Sequence, residues 1–333
     1  MKSFISLFLL LCLLSGVVSA AEWSPVTITD DSGYTSEIAS EPQTIVSLGP
    51  SNTEILFALG LGDKITGVTE YCDYPAEAHI KPIVGGISSV NIEKIVVLHP
   101  DIIFANAMIG EGSIHHLRQL GYTVICPNPK SEGTFSSIRR VGSATGTSAV
   151  AEDLIASMQQ RINAAAGMLE TVGAGMLTVT HIVGTDPYWV SGVHTFQDEL
   201  ITLAGGKNAF SEIDGWGIIS LEHLLTTDPD VILIDSDTGM GEMGKNLLKQ
   251  SFMTDPHLSS LSAVKNNRVY IVDSDTFDRG GLRIGDALDE LIAALYPAVS
   301  TASAEAAASP RASGFGILPV VFGVVLGLML ARR

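Results

Sequence analysis

A fifteen-residue pattern written twice constrains this chain more than any other feature. Residues 91–105 read NIEKIVVLHPDIIFA and residues 220–234 read SLEHLLTTDPDVILI, without a gap because 222 − 93 and 230 − 101 both equal 129. Each copy sets a capping residue (Asn91, Ser220) before an apolar residue and a glutamate (Glu93, Glu222). A short amphipathic run follows, then Pro-Asp (Pro100-Asp101, Pro229-Asp230) and an apolar β-branched run. Asn or Ser accepts from the free N–H groups of a helix start, Glu complements the positive end of the dipole, and Pro-Asp stops the helix before a strand. A helix, a turn and a buried strand are therefore expected in each half. The dipole contribution of each glutamate is only ~0.3–1 kcal/mol. Repeating it in both halves points to a shared surface role.

At 333 residues the chain accommodates two domains, each with its own core. Lys2, the apolar run from Phe4 to Leu14 and then Val18-Ser19-Ala20 read as a secretory signal over residues 1–20. An N-terminal lobe is expected over 21–148, a long connecting helix over 149–174 and a C-terminal lobe over 175–298. Residues 299–313 are Ala- and Ser-rich and read as a flexible linker. Residues 314–333 read as a membrane anchor or sorting signal: Gly314 to Ala331 is uncharged and Arg332-Arg333 closes it. Basic residues stay on the cytoplasmic side, so the body of the protein is expected outside the cell. The net charge of −17, from 19 Lys and Arg against 36 Asp and Glu, excludes the basic footprint that nucleic acid requires. Signal removal leaves Cys72 and Cys126, for which a disulfide is permitted outside the cell and two thiols are the alternative.

Between the signal and the linker, apolar strands alternate with helical stretches, which predicts an α/β fold with mainly parallel sheets and flanking helices. From Ala151 the period becomes 3.6, with Ala151, Leu154, Ile155, Met158, Ile162, Ala165 and Leu169 on one stripe. A helix of that length spans ~30 Å and joins the two lobes, leaving a ligand cleft between them. In parallel sheets ligands sit at the carboxyl ends of strands. Tyr71, Tyr74, Tyr188, Trp189, Trp216 and Phe277 all fall in segments read as loops at such ends. Arg279, beside Phe277, reads as a cation for the ligand. Arg283 reads as a structural partner of Asp275 or Asp278.

Enzyme signals fail. Gly239 to Lys245 reads GMGEMGK, but Asn246 stands where a phosphate loop needs Ser or Thr. There is no G-x-S-x-G elbow and no H-E-x-x-H, and no spacing supports a metal site built from His79, His181 and a distant carboxylate. No resident cofactor and no metal are expected.

With these features in view, the chain resembles the solute-binding proteins of ABC importers for metal chelates over roughly residues 24–297. It looks closest to the branch that binds cobalamin and related corrinoids, alongside ferric-siderophore and haem binders. The resemblance rests on Gly49-Pro50-Ser51-Asn52-Thr53-Glu54, Tyr71-Cys72-Asp73-Tyr74-Pro75, both copies of the repeat, Ser191-Gly192 and Phe277-Asp278-Arg279. It implies ligand contacts from Tyr71, Trp189, Trp216, Asp275 and Arg279. Ile87 and Asn106 stand where the cobalamin binder has tryptophans. It also implies that Glu93 and Glu222 dock onto arginines of a permease dimer that works with ATPase subunits. The tail resembles archaeal surface-sorting signals, with Ser313-Gly314-Phe315 in place of Pro-Gly-Phe. The alternatives from other classes are an enzyme acting on a bound metal complex, such as a chelatase or reductase, and a surface adhesion protein.

Overall fold

The computed structural model describes residues 23–297 apart from 31, 87, 107–108, 128–132, 173–174 and 236–246. The expected signal (1–20), linker (299–313), anchor (314–333) and glycine-rich stretch (239–245), with Ile87, lie outside the described residues. No helix among the described residues is long and apolar enough to cross a membrane.

The chain opens with an antiparallel hairpin of β1 (Val26–Thr29) and β2 (Thr35–Ile38). The N-terminal lobe follows as β3 (Ile45–Leu48), α1 (Pro50–Ala58), β4 (Ile65–Val68), α2 (Ile92–Val97), β5 (Ile102–Ala105), α3 (Glu111–Gln119) and β6 (Val124–Ile125). Its four strands are all parallel, in the order β4-β3-β5-β6. Then come α4 (Gly133–Thr145), which the sequence did not announce, and the long α5 (Ser148–Val172).

The C-terminal lobe contains β7 (Thr178–Ile182), β8 (Tyr188–Ser191), α6 (Phe196–Leu203), β9 (Lys207–Asn208), β10 (Trp216–Ile219), α7 (Leu221–Thr227) and β11 (Val231–Asp235). It closes with α8 (Leu247–Thr254), α9 (Ser262–Lys265), β12 (Val269–Val272), α10 (Ser274–Phe277) and α11 (Ile284–Leu295). Here β7, β11 and β12 are parallel, β9 joins β7 in parallel, and β8 and β10 add an antiparallel edge. The result is a two-lobed α/β architecture.

Strand alternation explains how the lobes are joined. In β5, Ile102 and Phe104 face a core shared by both lobes, while Ile103 and Ala105 face a core belonging to the N-terminal lobe. The second copy repeats this: Val231 and Leu233 of β11 face the shared core, Ile232 and Ile234 the C-terminal lobe's own. Strands buried on both faces read as near-continuous apolar runs, as both copies do. The shared core closes around α5, whose Ala151, Ile155, Met158, Ile162 and Ala165 are buried in it, and around α11. Such continuity predicts a small closure on ligand binding, checked by solution scattering with and without ligand; a large compaction would refute it.

The two copies of the repeat have the same local geometry. The Asn91 side chain accepts from the Lys94 N–H at 2.9 Å and Ser220 Oγ from the His223 N–H at 3.1 Å. His99 and Asp228, each just before the proline, both adopt left-handed backbone (φ 46° and 43°). Asp101 and Asp230 do more than end a helix. Asp101 Oδ2 accepts from the Thr44 N–H at 2.9 Å, and Asp230 Oδ2 from the Thr178 N–H at 2.8 Å, tying each unit to the first strand of its lobe. Burial pushes the Asp101 carboxyl up, but the Gln43 and Thr44 N–H groups outweigh it and hold it below its usual value. Glu93 and Glu222 are both exposed.

Candidate functional site

The loops that leave the carboxyl ends of β4 and β12 meet. Arg279, after α10, pairs in a two-pronged fashion with Asp73 of the other lobe. Arg283, at the start of α11, donates from Nε (3.1 Å) and Nη2 (2.7 Å) to the carboxylate of Glu54 on α1, and its guanidinium lies 4.7 Å from the Tyr74 ring. Two arginines of one lobe thus grip two carboxylates of the other. Burial raises the Glu54 pKa, with Arg283 partly offsetting it. For Asp73 burial also opposes ionisation, but the hydrogen bonds and charge of Arg279 prevail and hold the carboxyl low. Asp275 behaves differently although Arg279 Nη2 lies 2.6 Å from its Oδ1. That contact lacks hydrogen-bond geometry, and burial with neighbouring Asp73 and Asp273 raises its pKa.

The sequence placed Arg279 at the ligand and Arg283 in the structure; the fold engages both in lobe-to-lobe pairing. A third junction lies at Glu199 of α6, whose Oε2 is 3.4 Å from Thr134 Oγ1 on α4. Burial raises its pKa, and the Thr134 N–H and hydroxyl only partly offset this. A raised folded pKa means that the associated stability is present at low pH and is lost as pH rises through that pKa. Glu199→Gln is therefore expected to stabilise the protein at pH 8 and not at pH 3. Urea midpoints at the two pH values check this, and an equal difference at both would refute it.

The aromatic residues do not all converge. Tyr188, Trp189 and Trp216, expected in loops, lie on β8 and β10, which pair with Trp216 opposite Ser191 and Ile218 opposite Trp189. Side chains two apart share a face, so Trp189, Trp216 and Ile218 stand together, 41%, 43% and 56% exposed. Tyr188 belongs to the opposite face and meets Phe252 of the C-terminal lobe's core edge-on at 6.2 Å. Phe277 is fully buried and packs on His181 at 5.1 Å, so it forms core rather than cleft wall. Tyr71 is half-buried and Tyr74 exposed, near the lobe junction. Gly192 has no room for a Cβ, which would meet the Ile213 carbonyl where the chain before β10 crosses it.

Beneath Trp216 lies a grouping that sequence spacing did not reveal. His181 at the end of β7 is wholly buried, and its ring meets Trp216 edge-on at 5.7 Å. Its Nε2 is 2.6 Å from Asp235 Oδ1 at the end of β11 and 4.0 Å from Asp278 Oδ1 after α10. Burial, with Asp235 adding to it, pushes Asp278 up to about 7. Burial disfavours the charged imidazole of His181, but Asp235 and Asp278 outweigh it and raise its pKa.

A family model described as periplasmic binding protein matches residues 45–276, taking in both copies of the repeat and the spanning helix. The chain belongs to the periplasmic binding protein family. A relative in that family is YvrC of Bacillus subtilis, an ABC transporter substrate-binding lipoprotein, 35% identical over 280 residues (82% of this chain, 86% of YvrC). The vitamin B12-binding protein of Vibrio cholerae is 28% identical over 254 residues, 75% of this chain and 87% of that protein. Among solved structures, the periplasmic heme-binding protein RhuT from Roseiflexus sp. RS-1 superposes with a TM-score of 0.67 at 29% identity, covering 77% of this chain and 99% of RhuT. These relatives are binding proteins, not enzymes.

The structure places two further features noted in the sequence. Asn106, at the end of β5, is buried; its Oδ1 accepts from the Ile109 N–H at 3.2 Å, and its side chain presses on Gly49. Cys72 and Cys126 are both buried and not joined by a disulfide. They follow β4 and β6, which the strand order sets three strand spacings (~14 Å) apart, beyond the reach of a disulfide.

Proposed function

We propose that this protein is the extracytoplasmic substrate-binding component of an ABC importer and that its cargo is a flat metal chelate, preferably a corrinoid. The observation that carries this is the exposed Trp189–Trp216–Ile218 face on β8 and β10. Two indoles and an aliphatic side chain held on one pleated surface offer a flat apolar ligand a large contact area at low entropic cost. The names of the relatives support the class of cargo, since they include a binder of vitamin B12 and a binder of heme. Haem or a ferric siderophore is the alternative cargo. Native mass spectrometry with absorption spectroscopy on cobalamin, haem and ferric siderophores tests the choice. A 1:1 cobalamin complex is expected; preference for another chelate moves the assignment to it, and binding of none would overturn the class.

Delivery to a permease dimer is assigned to Glu93 and Glu222. Their matched helix starts support this, because a pseudo-symmetric pair suits a two-fold partner. An open apolar dent beside Glu93, flanked by exposed Ile83 and Val97, adds a contact surface in the N-terminal lobe. Replacing either glutamate by alanine is expected to leave ligand affinity unchanged and to lower uptake about tenfold, the effect of ~1.4 kcal/mol. Equal loss of binding and uptake would refute the docking role. Residues 314–333 are assigned to membrane anchoring, tested by whether a chain ending at Ser313 leaves the membrane fraction.

A further inference from the structure

We propose that His181, Asp235 and Asp278 form a binding site for a divalent first-row transition-metal ion, zinc in the first instance, at the floor of the C-terminal lobe beneath Trp216. The three residues come from β7, from β11 and from the turn after α10, and their ligand atoms all lie within 4.8 Å of one another. Bonds of ~2.0 Å in tetrahedral geometry place ligand atoms roughly 3.3 Å apart. The observed 2.6 Å and 4.0 Å from Nε2 to the two carboxylates bracket that spacing.

Charge and orientation argue the same way. Two carboxylates converge on one imidazole, and no Lys or Arg pairs with either of them among the described residues. Their mutual repulsion is relieved by a proton or by a cation, and a divalent ion relieves it more fully. One imidazole nitrogen with two carboxylate oxygens suits zinc and its first-row neighbours. Gln197 Nε2 donates to Asp278 Oδ1 at 2.8 Å, the outer support that orients a ligating carboxylate. His181 Nδ1 has no partner among the described residues, so the ring's chemistry runs through Nε2 alone. Asp235 and Asp278 keep 21% and 19% side-chain exposure, which leaves a path for the ion and a coordination position for water. Binding here requires neither the proposed cargo nor the importer.

The edge-on contact between His181 and Trp216 supplies the readout. The full-length protein, stripped with EDTA, is titrated with Co2+ and followed by visible absorption and tryptophan fluorescence. One equivalent is expected to give a d–d band and to quench fluorescence together. His181→Gln and Asp278→Asn are each expected to weaken both signals at least tenfold in affinity. In the same protein Zn2+ is expected to raise Tm, and to raise it less in Asp278→Asn. Should His181→Gln unfold, the near-isosteric Asp278→Asn decides alone. No band in the wild type, or a band unchanged by the variants, would overturn the site and leave His181 as a hydrogen-bonded partner of Asp235.

Discussion

Replacing Arg283 by alanine is expected to destabilise the protein by about 3–5 kcal/mol, the usual cost of removing one partner from a buried ion pair. Glu54 has a side chain only 1% exposed; Arg283 makes both of its hydrogen bonds to an arginine, and Arg279 Nη1 stands farther off at 4.0 Å. Without the guanidinium its carboxylate stays buried with only the more distant Arg279 to compensate it, or takes up a proton; either way the folded state loses. A domain of this size loses ~2–4 °C of Tm per kcal/mol, so a fall of roughly 10 °C is expected by calorimetry. The double variant Glu54→Gln/Arg283→Met should recover much of the loss, because it removes both charges. A single variant within 1 °C of wild type would show that water compensates Glu54. Because the pair joins the lobes, Arg283→Ala should also loosen their relative positions, visible as faster amide exchange in α1 and α11.

Replacing Trp216 by alanine is expected to weaken chelate binding about 30-fold, the ~2 kcal/mol of an aromatic hot spot. Trp216 stands on the exposed face two residues from Ile218, which lies opposite Trp189, and its ring is propped from below by His181. Isothermal titration with the tightest chelate found checks this. Trp216→Phe should recover most of the affinity, since a flat ring remains. Tyr188→Phe, on the other side of the strand, should leave affinity unchanged. Equal losses from Trp216 and Tyr188 would place the ligand elsewhere.

Much of this was legible in the chain. The doubled segment announced both helix–turn–strand units, and the burial of the two copies matches position for position from Ile92 to Pro100 and from Leu221 to Pro229. The stripe from Ala151 announced the spanning helix and the residues it buries. The antiparallel edge is legible too: Tyr188-Trp189-Val190 and Trp216 to Ile219 are rich in aromatic and β-branched residues, which favours strands over loops. Once they are strands, period-two alternation separates Trp189 from Tyr188, which reading them as loops could not do. Phe277 is buried where a loop position was expected, since a loop residue and the last turn of a short helix look alike in sequence.

Periodicity and capping act over a few residues, so the sequence by itself determined the two lobes, the helix between them and the exposed glutamates at the two repeated helix starts. Contacts between residues far apart leave no such local trace. Glu54 meets Arg283 across 229 positions and Arg279 meets Asp73 across 206. His181, Asp235 and Asp278 come together only because β7 and β11 pair in parallel and the turn after α10 folds over their ends. Each of those side chains has an ordinary neighbourhood in sequence. Only packing decided that four charged groups join the lobes, and that one imidazole and two carboxylates share the space beneath a tryptophan.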